Sequence, residues 1–246
     1  MSLLRVQNLV CGYGKQPLLG PLNLDLEKGD ALVIVGANGA GKSTLMRTLC
    51  GGLPALEGSV SILGDDVQRL RPRQRAKLVA MLPQIQPLDP SVTVEDLALL
   101  GRTPHLGNWG RVGLKDRRTV ERSIDLCGLT GLRSRQLGQI SGGERQRARL
   151  AMVLAQETPL VLLDEPTNHL DMRRRWELHE ILSAVRAERG CATTIVSHSL
   201  EDARRFGERA LLVSAGAPPR AFDAEQRNEL LEALQEDSGV PSEWVY

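Results

Sequence analysis

Residues 36–43 read Gly-Ala-Asn-Gly-Ala-Gly-Lys-Ser. The glycines let successive backbone N–H groups turn inward around an anion, the lysine brings a compact positive charge, and the serine offers a hydroxyl oxygen to Mg2+. That combination suits the β- and γ-phosphates of a nucleoside triphosphate. The segment follows an apolar run at 31–35 and precedes a helical stretch starting at Thr44, so the helix N-terminus adds partial positive charge where the phosphates would sit. Gly36, Asn38, Gly39, Gly41, Lys42, Ser43 and Thr44 are the nucleotide-contacting candidates, and Ser43 is also a candidate Mg2+ ligand.

A second apolar run, 160–163, ends in Asp164 and Glu165. Consecutive strand residues point to opposite sides. Asp164 would therefore hold Mg2+ through water while Glu165 accepts a proton from an attacking water. Taken alone, such a pair is an ordinary solvated strand end, and the upstream phosphate loop is what gives it chemistry. A third element, Ser141-Gly142-Gly143-Glu144, opens a helical pattern running to about residue 156. Its serine and glycine amides make an anion site at a helix N-terminus. The same residues also read as a plain helix cap, a serine with a glutamate three positions on.

A phosphate loop, an SGG-type signature and a Walker B strand, in this order and spacing, resemble the ABC ATPase family over about residues 3–213. The resemblance implies further roles. Gln84 looks like the Q-loop glutamine that touches Mg2+ and senses nucleotide. His198 looks like the switch histidine that contacts the γ-phosphate and positions the attacking water, which makes it a catalytic candidate beside Glu165. Asn168-His169-Leu170-Asp171 is similar to the D-loop that crosses the dimer interface, and Tyr13 matches the aromatic residue that stacks on adenine. In the family the signature, here Ser141, Gly142, Gly143 and Glu144, binds the γ-phosphate of ATP held by another subunit. The resemblance thus implies a head-to-tail pair of identical chains with ATP and Mg2+ between them. Two positions depart from the commonest pattern: Glu144 stands where glutamine is usual, and Ser199 replaces the acidic residue that often follows the histidine.

Within the family, residues 97–104, Trp109-Gly110-Arg111 and 165–171 look like the importers of ferric siderophores, haem and cobalamin. That likeness implies two transmembrane permease subunits as partners, a periplasmic or lipid-anchored substrate-binding protein acting through them, and a peripheral place on the cytoplasmic face of the inner or plasma membrane. Residues 84–94 and the helical insertion would be the docking surface, with the 101–113 loop helping to select the partner. An exporter subunit, or a soluble ABC ATPase that remodels nucleic acid or ribosomes, remains the alternative.

The elements that must position these residues read as an α/β fold. Strand-like runs at 31–35, 160–163, 192–196 and 210–213 alternate with helical patterns, which predicts a mostly parallel core sheet. Shorter strands within 3–26 and 59–63 predict an antiparallel edge sheet on the same domain. Between about 87 and 139 strand signals vanish. Two helices are expected there as a helical subdomain, one after Thr93 and one at 116–127, separated by an exposed loop at 101–113. The whole reads as a P-loop ABC cassette spanning residues 1–216, followed by a tail, 217–246, with a turn and one helix at 223–236. Hydrophobic residues make up 41% of the 246 and charged residues 25%, the balance of a chain with an ordinary buried core. A net charge of +1 gives no support to nucleic-acid or membrane-surface binding. The four cysteines, widely spaced, suggest neither a zinc site nor a disulfide framework, and no apolar run approaches the ~20 residues of a spanning helix.

Overall fold

In the computed structural model, which describes residues 2–84, 87–107, 110–168, 170–197, 202 and 209–238, the apolar runs are distributed over two sheets. Leu4–Tyr13 (β1), Gln16–Leu26 (β2), Glu57–Ile62 (β4) and Asp65–Asp66 (β5) form an antiparallel sheet in the order β2-β1-β4-β5. The second sheet contains Ala31–Val35 (β3), Val79–Leu82 (β6), Leu160–Asp164 (β7), Ala192–Val196 (β8), Arg209–Leu212 (β9) and Arg220–Asp223 (β10). Its order is β10-β9-β3-β8-β7-β6, parallel throughout except at β10.

Every residue of β3, β7 and β8 is buried, because this sheet is covered on both faces. Val33, Val35, Val161 and Leu163 point into one core, formed with the helices Val94–Leu100 (α3), Leu114–Leu126 (α4), Gly142–Ala155 (α5), Met172–Arg189 (α6) and a last helix, Arg227–Ser238. The alternating residues Leu32, Ile34, Leu160 and Leu162 point into the other. There they meet Leu45, Met46 and Leu49 of helix Lys42–Leu49 (α1) and the inner face of the antiparallel sheet. A one-residue slip would exchange the two faces, so the pattern pins the register. The described cysteines are free thiols, and complete burial pushes that of Cys127 up to about 12.

Helix α3 begins where its cap dictates, with the Thr93 hydroxyl accepting from the Asp96 amide at 3.1 Å. Helix α4 starts at Leu114, two residues ahead of the sequence pattern, and the Asp116 carboxylate accepts from the Gly113 amide at 3.0 Å. Both helices pack on α5. The tail differs from the sequence reading in one respect. Residues 220–223 pair with β9 as an antiparallel edge strand, burying Phe222, and the helix begins at Arg227. A four-residue strand with one buried apolar side chain is too short for periodicity to announce it.

The 101–113 segment was expected to be an exposed loop. Its beginning is instead interior: Gly101 lies so close to α5 that an added Cβ would meet the Met152 carbonyl oxygen at 2.1 Å. Arg102 is 2% exposed. Its guanidinium donates to Asp116 at 3.0 Å, to Glu157 at 2.9 Å and to the Ala155 carbonyl at 2.8 Å. Three acceptors satisfy a charge that could not otherwise be buried, and they tie the end of α3 to the start of α4 and the end of α5. His105 meets the Gln156 carbonyl oxygen at 2.8 Å, extending the anchor, while Trp109 lies outside the described residues. Arg102→Ala strips two carboxylates and a carbonyl of their donor. Equilibrium denaturation should show a loss of about 3 kcal/mol.

Candidate functional site

Parallel strands place their carboxyl ends at one edge, and the loops leaving them there form a crevice. In this sheet β3, β8, β7 and β6 are consecutive neighbours, so Gly36 after β3, Ser197 after β8, Glu165 after β7 and Gln84 after β6 emerge side by side. An open cleft of about 530 Å3 lies at this edge, lined by Leu18, Gly39, Lys42, Gln84, Glu165 and Asn168 among others, Ser43 included. Its size is that of a small-ligand site.

The loop from 36 to 41 has a backbone that L side chains resist. Gly36 has φ 145°, and a Cβ there would meet the Val213 carbonyl oxygen at 2.0 Å. Gly41 has φ 103° and stands at the N-terminus of α1, where no side chain caps the helix and no acidic residue sits in its first turn. The first-turn amides of α1 therefore remain available to an anion. Lys42 is 6% exposed, and its ammonium donates to the carbonyls of Gly36 at 2.7 Å and Ala37 at 2.8 Å, which keeps its charge inside the loop. Burial lowers its pKa, opposed by the charges of Glu165 and Asp164.

Beneath Ser43, Asp164 is 6% exposed and hydrogen-bonded by the Ser43 hydroxyl, while its Oδ1 has no hydrogen-bond partner among the described residues. Burial pushes its carboxyl above the usual carboxylate range. The Ser43 bond opposes that rise and the Glu165 charge adds to it. An orphaned, buried carboxylate oxygen beside a hydroxyl is a donor set suited to a hard cation such as Mg2+. Glu165 is in the left-handed region with φ 51°. Its amide bonds the Val196 carbonyl at 3.1 Å, and its Oε2 accepts from the side-chain amides of both Gln84 and Asn168. The two donors occupy Oε2 and fix the orientation of the carboxylate at the cleft it lines, which leaves Oε1 as the oxygen to take a proton.

Tyr13 is 52% exposed near the mouth, beside the β1–β2 turn, with its hydroxyl accepting from Thr44 at 3.3 Å. Ser141, Gly142, Gly143 and Glu144 do not line this cleft. They start α5, and there the plain capping arrangement is physically present: the Ser141 hydroxyl accepts from the Glu144 amide at 3.3 Å and the Glu144 carboxylate from the Ser141 amide at 2.7 Å. Those bonds hold the Glu144 carboxyl below its usual range. Gly143 has no room for a side chain, because the Arg174 guanidinium occupies the space 2.0 Å from where its Cβ would be. The sequence reading did not single out that contact, since the two residues belong to separate helices. His198 and His169 lie outside the described residues.

The sequence profile of the ABC transporter family matches residues 19–168, more than half of the chain. The chain belongs to the ABC transporter family. It is 40% identical over 242 residues to the hemin import ATP-binding protein HmuV of Pseudomonas fluorescens (strain Pf0-1), covering 94% of this chain and 92% of that protein. The ferric enterobactin transport ATP-binding protein FepC of Escherichia coli (strain K12) is 36% identical over 231 residues, covering 92% and 85%. Among solved structures, a transporter of metal-chelate ABC type in an inward-facing conformation superposes with TM-score 0.84 at 26% identity, over 98% of this chain and 90% of that one. The dimeric structure of a bacterial ABC transporter cassette superposes with TM-score 0.77 at 25% identity, over 90% and 98%. The cassette is an ATP-binding and ATP-hydrolysing unit. No helix among its described residues is long and apolar enough to cross a membrane.

A carboxyl whose folded pKa is raised contributes stability that is present in acid and is lost as pH rises through the folded value. Asp164→Asn keeps an acceptor for Ser43 and cannot ionise. Without nucleotide, the variant should melt about 2–4 °C above the parent near pH 7, the shift that about 1 kcal/mol produces in a chain of this size. The gap should close as pH falls below about 3, where the parent's carboxyl is protonated in both states. Thermal denaturation at the two pH values measures it.

Proposed function

We propose that this cassette is the ATPase subunit of an importer for ferric siderophores, or for haem or cobalamin, working as a pair of identical chains against two transmembrane permease subunits. The observation that carries the pairing is the placement of the signature. Ser141 to Glu144 start a helix outside the cleft that contains Lys42, Ser43 and Glu165, so one chain does not close its own site. A second copy turned head to tail would bring its signature amides to the open side, with ATP as the ligand that holds the closed pair together. The superposable dimeric cassette supports this arrangement.

In the closed pair the amides of Gly39, Gly41, Lys42, Ser43 and Thr44, with Gly36 and Asn38 shaping the loop, bind the phosphates, and the buried Lys42 ammonium supplies the positive charge. Tyr13 stacks on the adenine. Ser43, Asp164 and Gln84 would hold Mg2+, which supplies charge neutralisation at the phosphate oxygens. The donor set suits it, because Asp164 Oδ1 is buried with no hydrogen-bond partner among the described residues. Glu165, oriented by Gln84 and Asn168, takes the proton of the attacking water, and His198 steadies that water and the γ-phosphate. Gln84 thereby joins the base to the segment on which a permease would dock, at 84–94 and the neighbouring helices α3 and α4. Hydrolysis removes the shared ligand and lets the pair part, and this opening and closing drives the permeases.

The cargo class is supported by the relatives named for hemin and ferric enterobactin. The cargo would reach the permeases from a periplasmic or lipid-anchored binding protein, with the cassette peripheral on the cytoplasmic face of the inner or plasma membrane.

Glu165→Gln should bind ATP and form the closed pair while its turnover falls about 10²–10⁴-fold. Sedimentation with ATP and phosphate release measure the two halves, and unchanged turnover would remove Glu165 as the base. Affinity purification of the tagged chain from detergent-solubilised membranes should recover a multispanning permease. Recovery of ribosomes or nucleic acid without one would overturn the transport reading and leave the ATPase.

A further inference from the structure

The turn that carries Glu165 is held from behind by a carboxylate that lies outside the cleft. With φ 51°, Glu165 occupies a backbone region that residues other than glycine enter at a cost, so its neighbours must hold it there. The turn closes on itself, the Asn168 amide bonding the Glu165 carbonyl at 3.3 Å and the Leu170 amide the Thr167 carbonyl at 3.1 Å. Asn168 then presents its side-chain amide to Glu165 Oε2. Between these two residues Thr167 points inward, 2% exposed, and its hydroxyl donates to Asp202 Oδ2 at 2.6 Å.

Asp202 is 1% exposed and serves more than this turn. Ser197, at the end of β8, donates its hydroxyl to the same Oδ2, also at 2.6 Å. Arg175, near the start of α6, faces Oδ1 at 3.7 Å and donates to the Leu170 carbonyl at 3.2 Å. Short hydroxyl–carboxylate bonds are charge-assisted and strongly directional. Burying a carboxylate is costly and favours the fold less than apolar packing of equal volume would, so stability alone is a poor reason for one here. Thr167, Ser197 and Asp202 are buried beneath the turn and do not line the cleft, so they act on it through the residues they hold.

We propose that Asp202 is a positioning residue for ATP hydrolysis. Through Thr167 it fixes the turn that aims the Glu165 carboxylate, and through Ser197 it locks that turn to the end of β8, so the loops after two adjacent strands keep one relative placement. The proposal rests on the reading of Glu165 as the base.

Steady-state ATP hydrolysis by the full chain tests it. Thr167→Val, nearly isosteric, should lower kcat ~10–100-fold, the scale of a small misplacement of a reacting group, with KM for ATP within about threefold of the parent. Thr167→Ser, which restores the hydroxyl, should recover most of kcat. Asp202→Asn keeps an acceptor oxygen for both hydroxyls but loses the charge facing Arg175, and should fall between. Ser197→Ala removes the other donor and gives a second measure if Thr167→Val does not fold. Parental kcat in Thr167→Val or in Ser197→Ala, a change confined to KM, or a loss that Thr167→Ser fails to reverse would overturn the positioning role. Parental turnover in Glu165→Gln beside an impaired Thr167→Val would instead overturn the assignment of the base.

Discussion

Parallel pairing of β3, β8, β7 and β6 is the constraint on which the site depends. Parallel strands deliver all their carboxyl ends to one edge, and because these four are consecutive neighbours, residues as far apart in the chain as Lys42, Gln84 and Glu165 emerge within one crevice. Such a sheet must be covered on both faces, which explains why β3, β7 and β8 are buried throughout and why a helical layer stands on one side and an antiparallel sheet with α1 on the other. The buried register then fixes which residue of each strand is the last before the edge.

At that edge the protein accepts arrangements that favour ligand binding over stability. The Lys42 ammonium is folded back onto carbonyls of its own loop, one Asp164 oxygen has no hydrogen-bond partner among the described residues, and Glu165 has a left-handed backbone. Each is unfavourable in isolation, and together they form a cleft whose cationic floor and acidic wall complement phosphate and cation. The surrounding packing tolerates them because it is rigid: Gly36 lies against the Val213 carbonyl with no space for a side chain.

The helical layer is fastened to this core at identifiable points. Arg102 joins α3, α4 and the end of α5 through three acceptors, and Arg174 of α6 fills the space above Gly143 at the start of α5. The start of α5 is thus packed against the helix that follows the β7 turn. A displacement of that turn would be felt at the signature through side-chain contact, and Gln84 links the same turn to the segment before α3.

The sequence by itself determined what depends on neighbours in the chain. Positions 36–43 specify a left-handed turn and a helix start because glycines and a lysine at those spacings admit little else. Ser141 with Glu144 specifies a capping box, and the strand-like runs of four or five residues specify buried strands. The phosphate loop and Glu165 were legible for the same reason, since each follows a readable strand, whereas Gln84 and Asn168 came from the family resemblance and Leu18, inside β2, was not singled out. Tertiary structure alone decided the contacts between distant segments: β10 joining the sheet, Arg102 of the 101–113 segment turned inward onto Glu157, and Asp202 buried against Thr167 and Ser197. An arginine or aspartate reads as a surface residue until the fold supplies its partners. Only the topology brings those partners within hydrogen-bonding distance, and only then does burial of the charge become tolerable.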